Sequence, residues 1–170
     1  MAERLFFALW PGEEQRLALA RLQRELAPRH SRATHPDDLH ITLVFLGDVA
    51  PEQRVCAESA GDRVSGHPFE LMLDRVGCFP RARVVWCGPS AVTEPLLDLV
   101  GALNRELLGC GFRPERRPYS PHATLARKAR PIDSRELERP IPWPVDGFAL
   151  VASADRPPPH YQVLRRWPLS

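Results

Sequence analysis

Lysine is nearly absent from this chain, and neither sign of charge is in large excess. Lys128 is the only lysine, so arginine carries almost all of the positive charge, yet the net charge is only +2. This balance excludes a large nucleic-acid surface and a polybasic membrane patch, so we expect any contact with nucleic acid to be local. Arginine matches phosphate oxygens well, although its abundance also fits a general bias toward Arg, Ala and Pro.

The chain also lacks a long apolar run. No segment approaches the ~20 apolar residues that span a bilayer, and the apolar run over residues 5–10 is short and soon followed by charge. We therefore expect no membrane span and no signal peptide. With 170 residues, 44% of them hydrophobic, the chain is expected to form a single domain over residues 1–170.

Cysteine pairs of the metal-binding or redox type are absent. Cys56, Cys78, Cys87 and Cys110 include no C-x-x-C pair and no Cys-His cluster of the zinc-finger kind. We interpret all four as buried or incidental thiols. Together with the missing signal peptide, this interpretation predicts a reduced, cytoplasmic compartment.

Hydrophobic patterns predict a mixture of strands and helices. The predicted strands are residues 4–10, 40–47, 69–76, 83–87, 148–152 and 161–166, and the predicted helices are 13–26, 51–64 and 93–108. The apolar residues assigned to the buried helix faces are Leu17, Ala20 and Leu26, then Val55, Ala60 and Val64, then Leu96, Val100, Leu103 and Leu107. The proline-rich residues 130–144 are expected to be irregular, with one short helical turn.

One tetrapeptide pattern, His-x-Thr-Leu, occurs twice, starting at His40 and at His122. Each copy follows a helix and a polar, Pro-containing loop, over residues 29–38 and 113–120 respectively. The repeat predicts an α+β fold of two sheet-and-helix lobes around a central cleft. Because side chains on a strand alternate between its faces, each histidine projects together with the threonine two residues later, Thr42 or Thr124.

Two imidazoles and two hydroxyls in one cleft suit proton transfer around a small anion. A histidine titrates near pH 6.5, so one of the pair can act as a base while the other acts as an acid. Threonine hydroxyls can donate to the non-bridging oxygens of a phosphate. A lone His-x-Thr on a strand is more often a packed or surface histidine, but the duplication favours a site.

The chain resembles the two-histidine phosphoesterase superfamily and, within it, the bacterial and archaeal RNA 2′,3′-cyclic phosphodiesterases, also called 2′-5′ RNA ligases. The segments that carry the resemblance are residues 4–9, 40–47, 83–86, 118–127 and 161–164. The resemblance implies a bilobal fold with two pseudo-symmetric antiparallel sheets, catalysis by His40 and His122, and neither metal nor cofactor. It implies RNA ends or nucleotides bearing a 2′,3′-cyclic phosphate as substrates, hydrolysis to a 2′-phosphate, and 2′-5′ joining as the reverse reaction.

The resemblance also places an arginine beside the phosphate, five residues after the second histidine, where this chain has Arg127. Strict alternation puts residue 127 on the face opposite to His122, so this assignment requires a strand end or a β-bulge. By analogy with the family, His40 serves the leaving 3′-oxygen and His122 the attacking water, although spacing alone leaves these two roles open.

Aromatic residues near the motifs offer a stacking surface for a base. Tyr119, Phe7 and Phe45 are the candidates, since any base presents a π-face to an aromatic ring. For Phe7 and Phe45 core packing is the favoured interpretation, whereas for Tyr119, which we include among the substrate-binding residues, the two alternatives are evenly balanced.

Rival functions remain open at the level of sequence. The substrate can be another small nucleotide-derived phosphodiester, or the chain can be a binding module for RNA ends that turns nothing over; single-turnover assays separate these. A zinc site built from two histidines and a cysteine is disfavoured, because each motif carries threonine where a ligand is needed. No segment indicates an obligate protein partner, and we expect a monomer.

Overall fold

The computed structural model describes residues 2–26 and 31–170, so the start of the loop predicted over 29–38 lies outside the described residues. The strands are β1 Glu3–Leu9, β2 Arg32–Ala33, β3 Ile41–Val49, β4 Phe69–Phe79, β5 Val84–Gly88, β6 Ala123–Arg127, β7 Arg135–Val145, β8 Gly147–Ser153 and β9 Tyr161–Pro168. The helices are α1 Glu13–Leu26, α2 Pro51–Arg63 and α3 Glu94–Leu108, with a short 3-10 turn at Pro36–Asp38. The predicted mixed α+β class is confirmed.

The strands form an antiparallel sheet in the order β7-β4-β5-β6-β3-β1-β8-β9, with the short β2 pairing with β6. One half, β3-β1-β8-β9, contains the first His-x-Thr motif, and the other, β6-β5-β4-β7, contains the second. The halves meet through a single register pair, Ile41 with Ala123, whereas β1 pairs with β3 through seven. The two predicted lobes are therefore two halves of the sheet, with the motif strands at their junction.

The helices pack on one face of the sheet and leave the other face open at the junction. Along β1, Leu5, Phe7 and Leu9 join one buried cluster with residues of all three helices. Phe6 and Ala8 alternate with them and join a smaller cluster with Trp10 and Tyr161. Burying a large apolar side chain contributes roughly 1.5–3 kcal/mol, so the helix-covered face holds the sheet together.

The third helix packs as its apolar spacing predicts, whereas the buried faces predicted for the first two helices are partly wrong. All four predicted core residues of α3 are buried. Leu17 and Val55, however, are 50% and 64% exposed, because the buried faces centre on Leu19 and Ala57. Residues two apart on a helix project about 200° from one another, so a predicted face displaced by two residues points to solvent.

Strand β7 corrects the prediction that residues 130–144 are irregular. It lies at one edge of the sheet and pairs with β4, with Leu71 opposite Trp143 and Met72 opposite Pro142. Its prolines, Pro140, Pro142 and Pro144, alternate with the buried Ile141, Trp143 and Val145. Proline has no N–H to donate, but an edge strand tolerates it where the missing donor would face away from the neighbouring strand.

Two of the four predicted thiols form a disulfide, so that interpretation is wrong for them. Cys56 in α2 is bonded to Cys110, just after α3, with a Cα–Cα distance of 5.7 Å. The sequence separation is 54 residues, and only the packing of α2 against α3 brings the two together. Cys78 and Cys87 remain free. Among the described residues, no helix is long and apolar enough to cross a membrane.

Candidate active site

A cavity of about 400 Å³ opens where β3 and β6 meet, on the face without helices. Its lining residues are Arg4, Phe6, His40, Thr42, Phe45, His122, Thr124, Arg127, Ser153 and Tyr161. The structure thus brings all four His-x-Thr side chains and Arg127 into one cavity. The single register pair between the motif strands explains this meeting, because it places the two tetrapeptides side by side.

His40 is fixed by hydrogen bonds at both ring nitrogens. Its Nδ1 lies 2.6 Å from the backbone oxygen of Asp38. A carbonyl can only accept, so Nδ1 carries the proton and Nε2 of the neutral ring is an acceptor. The hydroxyl of Thr42 lies 3.1 Å from Nε2 and donates to it. The predicted pairing of His40 with Thr42 on one face is therefore present as a hydrogen bond.

His122 repeats the first half of this arrangement. Its Nδ1 lies 2.9 Å from the backbone oxygen of Ser120, again two residues earlier, and therefore also carries the proton. The turn before His122 packs tightly on β5, where a Cβ at Gly88 would lie 2.7 Å from the Pro121 oxygen. Both imidazoles thus have an unprotonated Nε2, the nitrogen available for proton transfer.

Aromatic rings surround His40 and lower its pKa. Trp10 stacks on the imidazole with 10° between the planes, Phe6 lies 4.9 Å away, and Tyr161 presents its edge at 5.1 Å. The loss of water around the ring lowers the pKa of His40 to about 4, against smaller raising effects of Asp38. Before an anion binds, His40 is therefore neutral at neutral pH.

His122 is less enclosed. Phe79 presents its edge to the ring at 5.0 Å between centroids. Burial lowers the pKa of His122, the hydrogen bond to Ser120 raises it, and the charge of Arg127 lowers it further. Arg127 also lowers the pKa of His40. One positive charge at the cavity therefore acts on both imidazoles, and it would attract an anion.

A β-bulge brings Arg127 to the cavity. In the pairing of β5 with β6, Trp86 lies opposite Thr124 and Val85 opposite Ala126, so Leu125 is an extra residue. One extra residue reverses the alternation of the strand. Arg127 consequently faces the same side as His122 and Thr124, as its assignment beside a phosphate requires.

The bulge is held by a buried glutamine that sequence reasoning missed. Gln23 of α1 is 6% exposed, and its side-chain nitrogen donates to the backbone oxygens of Leu125, at 2.7 Å, and Thr34, at 2.6 Å. The Thr34 N–H donates to the same Leu125 oxygen at 2.9 Å. A polar side chain buried against an apolar helix face is the signal that could have identified it.

The first motif contains a matching bulge, which overturns the expected burial of Phe45. In the pairing of β1 with β3, Phe7 lies opposite Val44 and Ala8 opposite Thr42, so Leu43 is the extra residue. Phe45 is 53% exposed and lines the cavity, whereas Phe7 is fully buried as expected. The residue five positions after each histidine therefore enters the cavity, Phe45 in one half and Arg127 in the other.

Tyr119 is not among the described residues that line the cavity. Its ring packs against the core, and its hydroxyl donates to the backbone oxygen of Thr42 at 2.8 Å. Burial raises its pKa. The structure thus places Tyr119 behind the first motif, joining the loop of one half to the strand of the other, rather than at a stacking surface.

Asp38 is a second residue that sequence reasoning missed. It is 1% exposed, and its carboxylate accepts from the backbone N–H groups of His160, at 2.8 Å, and Tyr161, at 3.0 Å. Its own carbonyl accepts from His40. One residue therefore fixes the orientation of His40 and holds the strand that supplies the Tyr161 ring. In the part of the chain that the structure describes, no group of three or more His, Cys, Asp or Glu side chains is placed to hold a metal.

Relatives of known activity resemble the chain over nearly its whole length. The RNA 2′,3′-cyclic phosphodiesterase of Escherichia coli K12 is 33% identical, over 99% of this chain and 97% of that protein. The Thermus thermophilus protein of the same name is 35% identical, over 98% and 90%. The crystal structure of E. coli LigT complexed with 3′-AMP superimposes with a TM-score of 0.91 at 31% identity, over 100% and 99%.

A family model, which does not depend on any single relative, also matches the chain. The model described as the 2′-5′ RNA ligase superfamily matches residues 11–157, which include both His-x-Thr motifs and both bulges. The fold, the paired imidazoles and the length of the matches therefore agree, and the chain belongs to the 2′-5′ RNA ligase superfamily.

Proposed function

We propose that the chain hydrolyses 2′,3′-cyclic phosphates of RNA ends or nucleotides to 2′-phosphates, by acid-base catalysis between His40 and His122 without a metal ion. The observation that carries this proposal is the meeting of two His-Thr pairs in one cavity, each histidine with its Nδ1 proton on a backbone carbonyl. The curated relatives named RNA 2′,3′-cyclic phosphodiesterase support the same reaction.

In the proposed reaction, His122 removes a proton from water as the water oxygen bonds to phosphorus. The bond from phosphorus to the 3′-oxygen breaks, and His40 donates its proton to that oxygen. Before substrate binds, His40 holds no proton on Nε2 at neutral pH, since its pKa is about 4. The negative phosphate must raise this pKa when it binds, because an opposite charge favours the protonated imidazole. If the 5′-hydroxyl of a second RNA strand attacked phosphorus in place of water, the bond to the 3′-oxygen would break in the same way and a 2′-5′ linkage would form.

Three further side chains would hold the phosphate. Thr42 and Thr124 would donate hydroxyl hydrogen bonds to the non-bridging oxygens, and Arg127 would supply the positive charge. Donors aimed at oxygens that gain charge typically contribute about 10²- to 10³-fold to the rate each. Phe45, half exposed at the cavity, would stack on the terminal base. Tyr119 would act on the site only indirectly, by fixing the Thr42 backbone.

The test is turnover of nucleoside 2′,3′-cyclic phosphates in the presence of EDTA, with ³¹P NMR to identify the product. We expect a nucleoside 2′-phosphate, a bell-shaped dependence of kcat/KM on pH, and no loss of activity in EDTA. A folded His122→Ala variant that retains full turnover would contradict the proposal. Binding of the cyclic phosphate without any product in a single turnover would favour the rival view of a binding module.

We also infer that residues 1–170 act as a single, monomeric domain without an obligate protein partner, in the cytoplasm. RNA ends as substrates favour that compartment, whereas the Cys56–Cys110 disulfide opposes it, because disulfides are rare in reducing compartments. Alkylation of thiols in freshly lysed cells, followed by mass spectrometry, would show whether the disulfide exists in the cell. Sedimentation equilibrium would give the oligomeric state.

A further inference from the structure

Four basic residues without acidic partners surround the end of β6, at the border of the cavity. They are Arg32, Arg83, Arg127 and Lys128, here called the basic rim, and all four are exposed. Elsewhere in the described chain, five arginines lie within 4.0 Å of a carboxylate, namely Arg4, Arg16, Arg54, Arg63 and Arg165. Among the described residues no member of the rim forms such a pair, so its charge is available to a bound anion.

Arg32 and Arg127 lie directly opposite one another in the pairing of β2 with β6. Directly opposed side chains on antiparallel strands point to the same face, and like charges there repel. Because Arg127 lines the cavity, Arg32 lies on the cavity face as well. A repulsive pair without a neutralising carboxylate is an arrangement that a phosphate group would relieve.

The short strand β2 that carries Arg32 is firmly attached. It consists of two residues, but the N–H of the following residue, Thr34, donates to the Leu125 oxygen in the bulge, and the Thr34 oxygen accepts from the Gln23 side chain. The same buried amide therefore sets the positions of both Arg127 and Arg32. The Cα positions of the two arginines are thus fixed by backbone pairing.

Arg83 and Lys128 complete the rim on the other side of β6. They are the two non-glycine residues with positive φ in the described chain, at 57° and 53°. The Arg83 guanidinium donates to the Lys128 oxygen at 3.3 Å, and the Ala129 N–H donates to the Arg83 oxygen at 3.0 Å. Left-handed backbone at non-glycine residues persists where the surroundings enforce it, and it concentrates at functional sites.

We propose that the basic rim binds the phosphodiester backbone of the RNA strand that leads to the cyclic phosphate. This inference rests on the proposed function and narrows its substrate to the ends of RNA strands rather than free nucleotides. The rim crosses from β2 over β6 to the start of β5, a width of about 10 Å at the usual strand spacing. It joins the cavity at Arg127, so the phosphates just upstream of the cyclic phosphate lie over the rim, within reach of Arg32 on one side of β6 and Arg83 on the other.

Binding of RNA at different salt concentrations tests the rim without requiring turnover. The probe is a short, fluorescently labelled oligoribonucleotide that ends in a 2′-phosphate. We expect Arg32→Gln to weaken its binding about 3- to 10-fold at low salt, and to reduce the slope of log K against log[salt] by about 0.7, the value for one contact to a single strand. Arg83→Gln should weaken binding in the same way. Because Arg83 lies outside β2, this variant tests the rim even if Arg32→Gln disturbs that strand.

Arg105→Gln is the matched control, since Arg105 is exposed on α3, on the helix-covered face, and the change in charge is identical. It should leave the binding and the salt dependence unchanged. Turnover of a nucleoside 2′,3′-cyclic phosphate should change less than about twofold in either rim variant, because a mononucleotide has no upstream backbone.

Two results would contradict the proposal that the basic rim binds RNA. One is binding of the oligoribonucleotide by both rim variants with wild-type strength and salt dependence, and the other is an equal effect of Arg105→Gln. Failure of the proposed function looks different. In that case the wild type would bind the oligoribonucleotide through the rim with the predicted salt dependence, but it would hydrolyse neither the cyclic mononucleotide nor the cyclic RNA end.

Discussion

The two halves of the site share the sequence motif His-x-Thr-Leu, but their histidines lie in different surroundings. His40 is enclosed by three aromatic rings and its pKa is lowered to about 4. His122 contacts one aromatic ring, that of Phe79, and its pKa is lowered by burial and, to a smaller extent, by the charge of Arg127. After equivalent bulges, the first half presents Phe45 and the second presents Arg127. Nearly identical motifs therefore supply one aromatic and one positively charged half, as the proposed binding of a base and of a phosphate requires.

The largest expected effect on this comparison comes from removing each histidine in turn. His40→Ala and His122→Ala should each lower kcat/KM on a nucleoside 2′,3′-cyclic phosphate by about 10²- to 10⁴-fold. The double variant should lose much less than the product of the two effects, because the residues act as a unit. Steady-state kinetics gives these values.

The acid can then be told from the base with a nucleoside 2′-(p-nitrophenyl) phosphate, in which p-nitrophenolate takes the place of the leaving 3′-oxygen and needs little protonation. The variant that lacks the acid should be far less impaired on this diester than on the cyclic substrate. We expect this for His40→Ala and not for His122→Ala, and the opposite pattern would exchange their roles.

Arg127→Gln should have the next largest effect. Loss of one charged donor to the phosphate should lower kcat/KM by about 10²- to 10³-fold. Since the charge of Arg127 lowers the pKa of both histidines, both values should rise in the variant, as seen by NMR titration of the imidazole protons. A loss of rate with unchanged histidine titrations would indicate a distorted site rather than a lost charge. Arg105→Gln is the control for a general charge effect.

At acid pH the protein should lose stability, and the titration of His40 should contribute more to this loss than the titration of His122. Between pH 6.5 and 4 the unfolded chain protonates His40 while the native state does not. The free energy of unfolding should therefore fall as the pH falls through this window, by roughly 3 kcal/mol from this residue. Urea unfolding at several pH values should show that His40→Gln removes more of this dependence than His122→Gln. An equal effect of the two substitutions would show that the enclosure of His40 is not what distinguishes the halves.

Phe45→Ala should produce a smaller change that falls mainly on substrate binding. Stacking of a base on an aromatic ring contributes about 1–3 kcal/mol, so KM should rise while kcat changes little. Phe45→Tyr keeps the π-face and should restore the wild-type KM. If Phe45→Ala instead lowers kcat alone, Phe45 would act on the chemical step and not on binding of the base.

The smallest expected effect is a gain in stability. Arg32→Gln removes the repulsion between Arg32 and Arg127 and should stabilise the fold by about 0.2–1 kcal/mol at low salt. Urea unfolding at low and high salt measures it, since screening weakens repulsion between exposed charges. A gain that persists unchanged in high salt would point to a cause other than charge.

Local sequence patterns predicted the site better than its surroundings. Alternation along a strand was sufficient to pair His40 with Thr42, and the structure shows the hydrogen bond between them. The same rule misplaces Phe45, because the bulge at Leu43 depends on pairing with β1, which no local pattern records. For Arg127 the need for a bulge could be stated in advance, but Gln23, which holds that bulge, lies 102 residues from Leu125 in sequence.

Long-range partners explain most of the remaining differences. The Cys56–Cys110 pairing follows from the packing of two helices and has no signature in cysteine spacing. Asp38 receives N–H groups from a strand that begins more than a hundred residues later. The prediction for residues 130–144 is wrong because prolines usually interrupt regular structure, whereas here they alternate with buried residues and match one face of an edge strand.

That proline-bearing edge has a consequence for how the protein behaves among copies of itself. Along Pro140, Pro142 and Pro144, the outer border of β7 offers no N–H groups, and the Pro142 oxygen already accepts a hydrogen bond from Gln15 of α1. A strand from another molecule would find few donors there to extend the sheet. At this border the sheet is therefore protected against extension by strands of other copies, and so against growth into aggregates.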